Sequence, residues 1–81
     1  MYMVYVLQDL QGSLYKGMTN NLDRRLKEHL AGKTRTTSQM DGLQLVYSET
    51  YVTREEARRR EKYFKSAAGR RFLKERINTR P

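Results

Sequence analysis

Five side chains in this sequence could do chemistry together: Tyr5, Tyr15, Arg25, His29 and Glu61. Arg25 and His29 stand at i+3 and i+7 from Leu22, on or beside the apolar stripe of a helix. Glu61 stands at i+4 from Ala57 and i−3 from Phe64, so a carboxylate falls on an apolar stripe as well. Burying either charge alone would cost several kcal/mol. Each residue singly has a plainer reading. The tyrosines would pack, the histidine would bond to backbone, and the Arg and Glu would pair or reach past the stripe to water. As a set they suit phosphodiester hydrolysis. An arginine meets the charge that builds on the phosphoryl oxygens with a planar fork of donors. A divalent metal meets the charge on the leaving oxygen and lowers the pKa of a water. Mg²⁺ needs only one or two protein carboxylates, because waters and the substrate fill its shell. A Tyr or the His would carry the proton.

Other chemistries find no residues here. The absence of Cys excludes a disulfide scaffold, a thiolate metal site and a cysteine nucleophile. There is no paired set of inward carboxylates for glycoside chemistry, no His cluster for zinc and no Gly-rich phosphate loop.

The elements that must position these residues follow from periodicity and turn chemistry. Residues 2–8 are β-branched and aromatic and predict a strand. Asp9-Leu10-Gln11-Gly12 predicts a turn, and residues 13–17 a return strand that ends near Gly17, where a missing side chain would also let a backbone approach a ligand. Thr19 or Asn20 is the expected cap of a helix that runs to about Leu30, with Leu22, Leu26 and Leu30 as its stripe and Gly32 as its stop. Residues 31–42 read as a polar loop. Residues 43–52 predict a third strand. Thr53 and Glu56 form a capping box that starts a long helix to about Ala68, its sparse apolar residues being Ala57, Phe64, Ala67 and Ala68 with Tyr63 beside them. Gly69 should break that helix. A last short helix over 70–77 then turns Phe72, Leu73 and Ile77 inward, and the 78–81 tail frays. The order β-β-α-β-α-α predicts an α+β fold: a small, three-stranded, mainly antiparallel sheet flanked by helices, residues 1–81 forming one domain.

Lys and Arg number 17 against 9 Asp and Glu, for a net charge of +8. On so small a chain this favours a polyanionic partner, nucleic acid before a membrane surface. No apolar run is long enough to span a bilayer and no signal peptide is recognisable, so a cytoplasmic protein is expected.

Val4-Tyr5-Val6, Tyr15-Lys16-Gly17 and the run from Thr19 to His29 resemble the motifs of the GIY-YIG nuclease superfamily. Leu45 to Glu49, Thr53 to Ala57 and Arg60-Glu61-Lys62 extend the likeness over roughly residues 2–76. The pattern is similar to compact stand-alone bacterial members, to the nuclease half of the excision-repair incision subunit and to Slx-type structure-selective nucleases. That resemblance implies a metal-dependent DNA endonuclease of low sequence specificity or directed at DNA structure, working in repair or recombination with Mg²⁺ or Mn²⁺. It implies that Tyr5 and Tyr15 are the motif tyrosines, one of them acting as or orienting the general base. Arg25 would be the catalytic arginine, and His29 an assistant in proton transfer or phosphate contact. Glu61 would hold the metal, Gly17 closes the second tripeptide, and Asn20 is a polar position at the start of the first helix. Met3 stands where the first tripeptide has Gly, and Lys16 where the second has Ile, adding a charge expected beside the site. With it, Lys27, Lys33, Arg35, Arg58, Arg59, Lys62 and Lys65 would hold the nucleic-acid backbone. The alternatives left open are a non-catalytic nucleic-acid-binding module, a subunit of a larger repair complex that needs a protein partner, and a nuclease for RNA.

Overall fold

The computed structural model describes residues 1–32 and 40–77. Lys33 and Arg35, most of the expected polar loop and the 78–81 tail lie outside them. Within them the element order is β1 (Tyr2–Gln8), β2 (Leu14–Thr19), α1 (Leu22–Leu30), β3 (Gln44–Tyr51), α2 (Arg54–Phe64) and α3 (Ala67–Ile77). The three strands form one antiparallel sheet in the order β2-β1-β3, so the expected α+β class and element order hold.

The hairpin turn is built by Asp9, whose Oδ1 accepts from the Gln11 and Ser13 amides at 3.0 and 2.8 Å. Gly12 supplies the positive φ of +90° that closes it. The resulting register sets Tyr5 opposite Gly17 and Leu7 opposite Tyr15. Strands alternate their faces, so Tyr5, Tyr15 and Gly17 belong to one side of the sheet and Val4, Val6 and Lys16 to the other.

The two faces are filled differently. Val4 and Val6 join Ala57, Phe64 and Leu73 in the buried core between the sheet and the α2–α3 pair. A bulge sets Val6 opposite Tyr47 but Leu7 opposite Leu45, which leaves Val46 as an extra residue. Both Val46 and Tyr47 consequently pack against the core, where strict alternation would admit one. On the other face, Leu7 meets Leu26, Leu43 and Leu45 around His29.

Four local expectations are corrected. β2 continues through Thr19, which pairs with Met3, so the cap of α1 moves to Asn21. Its side chain accepts from the Arg24 amide at 3.1 Å, while the Thr19 hydroxyl accepts from the Asn21 amide. Leu30 is off the stripe and 69% exposed; His29 is 2% exposed in its place. At 3.6 residues per turn, seven positions from Leu22 fall about 20° short of full turns and eight overshoot by about 80°. The long helix stops at Phe64, before the expected break at Gly69, because the Ser66 hydroxyl caps a new helix by accepting from the Gly69 amide at 3.1 Å. Gly69 lies inside α3, where a Cβ would sit 1.8 Å from the Tyr63 carbonyl oxygen. Its missing side chain lets α3 fold back against the end of α2, and Ala67 and Ala68 are left exposed rather than in the core.

α2 is held to the sheet by a polar knot. Arg60 donates Nε and Nη2 to the two Glu49 carboxylate oxygens at 2.9 and 3.1 Å, and Tyr47 and Tyr51 donate their hydroxyls to the same carboxylate. The Arg60 guanidinium also lies 4.8 Å from the ring centroids of Tyr63, Phe64 and Phe72. This fixes the rotation of α2 at the residue preceding Glu61.

Candidate active site

An open cleft of about 440 Å³ lies around the Gly17–Asn20 end of β2. Tyr5 and Tyr15 enter it from the sheet, Arg25 from α1, and Arg58 and Glu61 from α2. Gly17 and Asn20 form its rim. These are residues widely separated in the chain, gathered by the hairpin register and by the packing of α1 and α2 on opposite faces of the sheet.

Gly17 makes the arrangement sterically possible. A Cβ there would sit 2.7 Å from the Tyr5 hydroxyl and 3.1 Å from Tyr15 Cε1. The bare backbone thus lets the Tyr5 ring cross the edge strand and present its oxygen to the cleft. The Tyr5 and Tyr15 rings are 6.2 Å apart, centroid to centroid, and Tyr15 stands edge-on to the His29 ring at 4.9 Å.

The Tyr5 oxygen lies between two partners. It is 2.8 Å from His29 Nε2 and accepts from Arg25 Nε at 3.4 Å. An arginine only donates, so it takes one Tyr5 lone pair and leaves the phenolic proton free to be donated to His29 Nε2 in the tautomer that carries its proton on Nδ1. Burial pushes the Tyr5 pKa up to about 12, against the lowering pull of the Arg25 hydrogen bond. Burial also lowers the His29 pKa, helped by the nearby Arg25 charge and opposed by Glu28, so the imidazole is neutral near pH 7 and able to accept. Arg25 Nη1 also reaches Glu28 at 3.0 Å, and the hydrogen bonds to Tyr5 and Glu28 hold it more firmly in its charged form.

Glu61 is separated from its neighbouring carboxylates by position. Its side chain is 16% exposed, lines the cleft, and accepts from Lys65 Nζ at 3.3 Å. Glu49 is taken up by Arg60 and the two tyrosines, and Glu56 by the capping box with Thr53. Among the described residues there is no cluster of three or more His, Asp or Glu side chains. One carboxylate beside phenolic and water-accessible space fits a hard cation that keeps most of its waters, Mg²⁺ or Mn²⁺. It does not fit a closed zinc site.

Not every expected residue reaches the cleft. His29 is buried behind Tyr5, which leaves it a proton or positioning role and no contact with a phosphate. Lys16 is on the opposite face of the sheet from Tyr15 and lines a different cleft, with Arg70 and Lys74. Lys27 and Lys62 are exposed helix residues outside the cleft lining. Lys33 and Arg35 fall outside the described residues. Sequence reasoning missed Arg54, Tyr2 and Thr19, all of which line the cleft. Arg54 had a readable signal: it is one helical turn before Arg58 and two before Glu61.

The model of the GIY-YIG catalytic domain matches residues 1–78, and the chain belongs to that nuclease family. It is similar to a set of small bacterial proteins called UPF0213. It shares 45% identity over 62 residues with the one from Bacillus licheniformis, covering 75% of this chain and 64% of that relative, so it spans somewhat under two thirds of the relative's length. With the UPF0213 protein of Staphylococcus epidermidis it shares 35% identity over 90% of both chains. The solution NMR structure of the UPF0213 protein from Bacillus halodurans superposes with a TM-score of 0.56 at 35% identity, covering 90% of this chain and 82% of that one.

Proposed function

We propose that this protein is a metal-dependent endonuclease that hydrolyses DNA phosphodiester bonds, with low sequence specificity or a preference for DNA structure, in repair or recombination. The observation that carries the reading is the convergence of Tyr5, Tyr15, Arg25 and Glu61 on one cleft with His29 backing Tyr5. Residues 1–81 would act as one nuclease domain, and a DNA substrate places its work in the cytoplasm. Among the described residues no helix is long and apolar enough to cross a membrane.

In this reading Glu61 would hold the Mg²⁺ or Mn²⁺, which when bound would supply charge neutralisation and acidify a water. Arg25 neutralises the phosphoryl oxygens while keeping its Nε on Tyr5. Tyr5, too weak an acid to be ionised at neutral pH, accepts the proton of the attacking water as it passes its own to His29 Nε2. Tyr15 packs beside both rings and limits where the water stands. Arg54 and Arg58 hold the flanking phosphate backbone at the α2 wall.

The test is cleavage of labelled single-stranded, duplex, flap and junction DNAs, and of RNA, with and without Mg²⁺ or Mn²⁺. Wild type should nick DNA only with metal, and Glu61→Ala and Arg25→Ala should each abolish nicking. Wild type that binds these substrates without cutting any of them would refute the reading.

A further inference from the structure

Lys16 has no role in the catalytic cleft, and it replaces the isoleucine that the family motif carries at the second tripeptide. Its surroundings are specific. On the sheet face opposite Tyr15, a second cleft of about 380 Å³ is lined by Lys16 from β2 and by Arg70 and Lys74 from α3, over a floor of Leu14 and Ile77. Among the described residues no carboxylate lines it. Burial and the nearby positive charges of Arg70 and Lys65 lower the Lys16 pKa. The fold therefore gathers cations that repel one another and, among the described residues, gives this cleft no counter-charge. Lys65 ties it to the first cleft, being close enough to act on Lys16 while its Nζ reaches Glu61 at 3.3 Å.

A lysine on an edge strand also discourages edge-to-edge sheet pairing. That role requires nothing from another element, whereas here α3 contributes Arg70 and Lys74, at i and i+4 on one helical face, to the same cleft. A concave basic cleft that no carboxylate lines among the described residues is complementary to a row of phosphates.

Resting on the nuclease reading, we infer that Lys16, Lys65, Arg70 and Lys74 form a second backbone-binding tract, along which the DNA continues past the edge strand from the catalytic cleft. The same strand β2 thus serves the cut with Gly17 on one face and the grip with Lys16 on the other.

The test compares two triple variants with equal loss of charge. One is Lys16→Ile, Arg70→Gln and Lys74→Gln; the other is Lys27→Gln, Arg59→Gln and Lys62→Gln. Binding of a fluorescein-labelled duplex is followed by anisotropy across a salt series, folding by circular dichroism, and DNA cleavage by wild type separately. The first triple should bind on the order of tenfold more weakly at low salt, with a log–log salt slope flatter by roughly two to three, about 0.9 for each phosphate no longer neutralised. The second should lose clearly less. Equal losses in both, or none in the first, would overturn the tract whether or not wild type cuts. Binding that depends on the first triple in a protein that never cuts would uphold the tract and refute the nuclease reading alone. Should the triple fail to fold, Lys16→Ile alone, against Lys16→Arg, decides: the isoleucine must flatten the slope by about one and the arginine must not.

Discussion

The Tyr5 hydroxyl lies 2.8 Å from His29 Nε2, and in the proposed mechanism it is the histidine that determines whether this oxygen can take a proton. Tyr5→Phe keeps the ring in its packing and removes only the oxygen. Cleavage should fall by roughly 10²–10⁴-fold, the range for loss of a general base, in a protein that stays folded but loses about 1–3 kcal/mol with the buried Tyr5–His29 hydrogen bond. A variant that cuts as fast as wild type would assign the base to Tyr15.

The same pair sets a pH dependence. His29 has a folded pKa below its ordinary value of 6.5, so the unfolded chain binds the proton more readily than the native one. Stability is then fully present above 6.5 and declines as pH falls below it towards the lowered native value. Activity should decline on the same acid side, since a protonated His29 cannot accept from Tyr5. Thermal melts and single-turnover rates across this range check both, and His29→Gln should flatten the stability curve there.

Gly17→Ala would place a methyl 2.7 Å from the Tyr5 oxygen. The ring must move, and displacing a catalytic atom by about 1 Å commonly costs 10²-fold in rate. Stability should fall by only about 1–3 kcal/mol, the usual cost of overpacking. The diagnostic result is a large loss of rate in a folded protein that still binds DNA.

Gly69→Ala tests the α2–α3 junction. Its Cβ would lie 1.8 Å from the Tyr63 carbonyl, and backbone cannot yield as a side-chain tip does. Opening the junction pulls Leu73 and Phe72 from Phe64. A loss of about 3 kcal/mol or more is expected, lowering the melting temperature by about 12–24 °C for a domain of this size. A melting temperature within a few degrees of wild type would contradict the close approach.

Glu49→Gln removes the charge from the knot that orients α2. Burial raises the Glu49 pKa, but hydrogen bonds from Arg60, Tyr47 and Tyr51 outweigh it and hold the carboxyl below its ordinary 4.5. Its contribution is present above 4.5 and lost as pH falls through the lowered native value. The variant should lose about 1–3 kcal/mol at neutral pH and lose less than wild type on further acidification. Urea denaturation at neutral and acidic pH measures both.

Much of this protein was readable from its residues alone. β-Branched and aromatic runs, the Asp9–Gly12 turn and the Thr53–Glu56 capping box are local signals, and they placed five of the elements within a few residues. Helical spacing put Arg25, His29 and Glu61 on inward stripes, because rotation per residue is a property of the helix itself. What local spacing could not decide was anything dependent on a partner element. The end of α1 turned on which of His29 and Leu30 met Leu7, and the break before α3 on a serine hydroxyl and a backbone approach at Gly69. Strand alternation alone turned Lys16 away from Tyr15, but that it meets Arg70 and Lys74 there depended on where α3 packs. The helical stripe had singled out Glu61 from Glu56, and packing added that Arg60 and Thr53 occupy the Glu49 and Glu56 carboxylates. Spacing along one chain sets the face of an element; the neighbour that face meets, and hence whether a charge is structural or chemical, is settled only by packing.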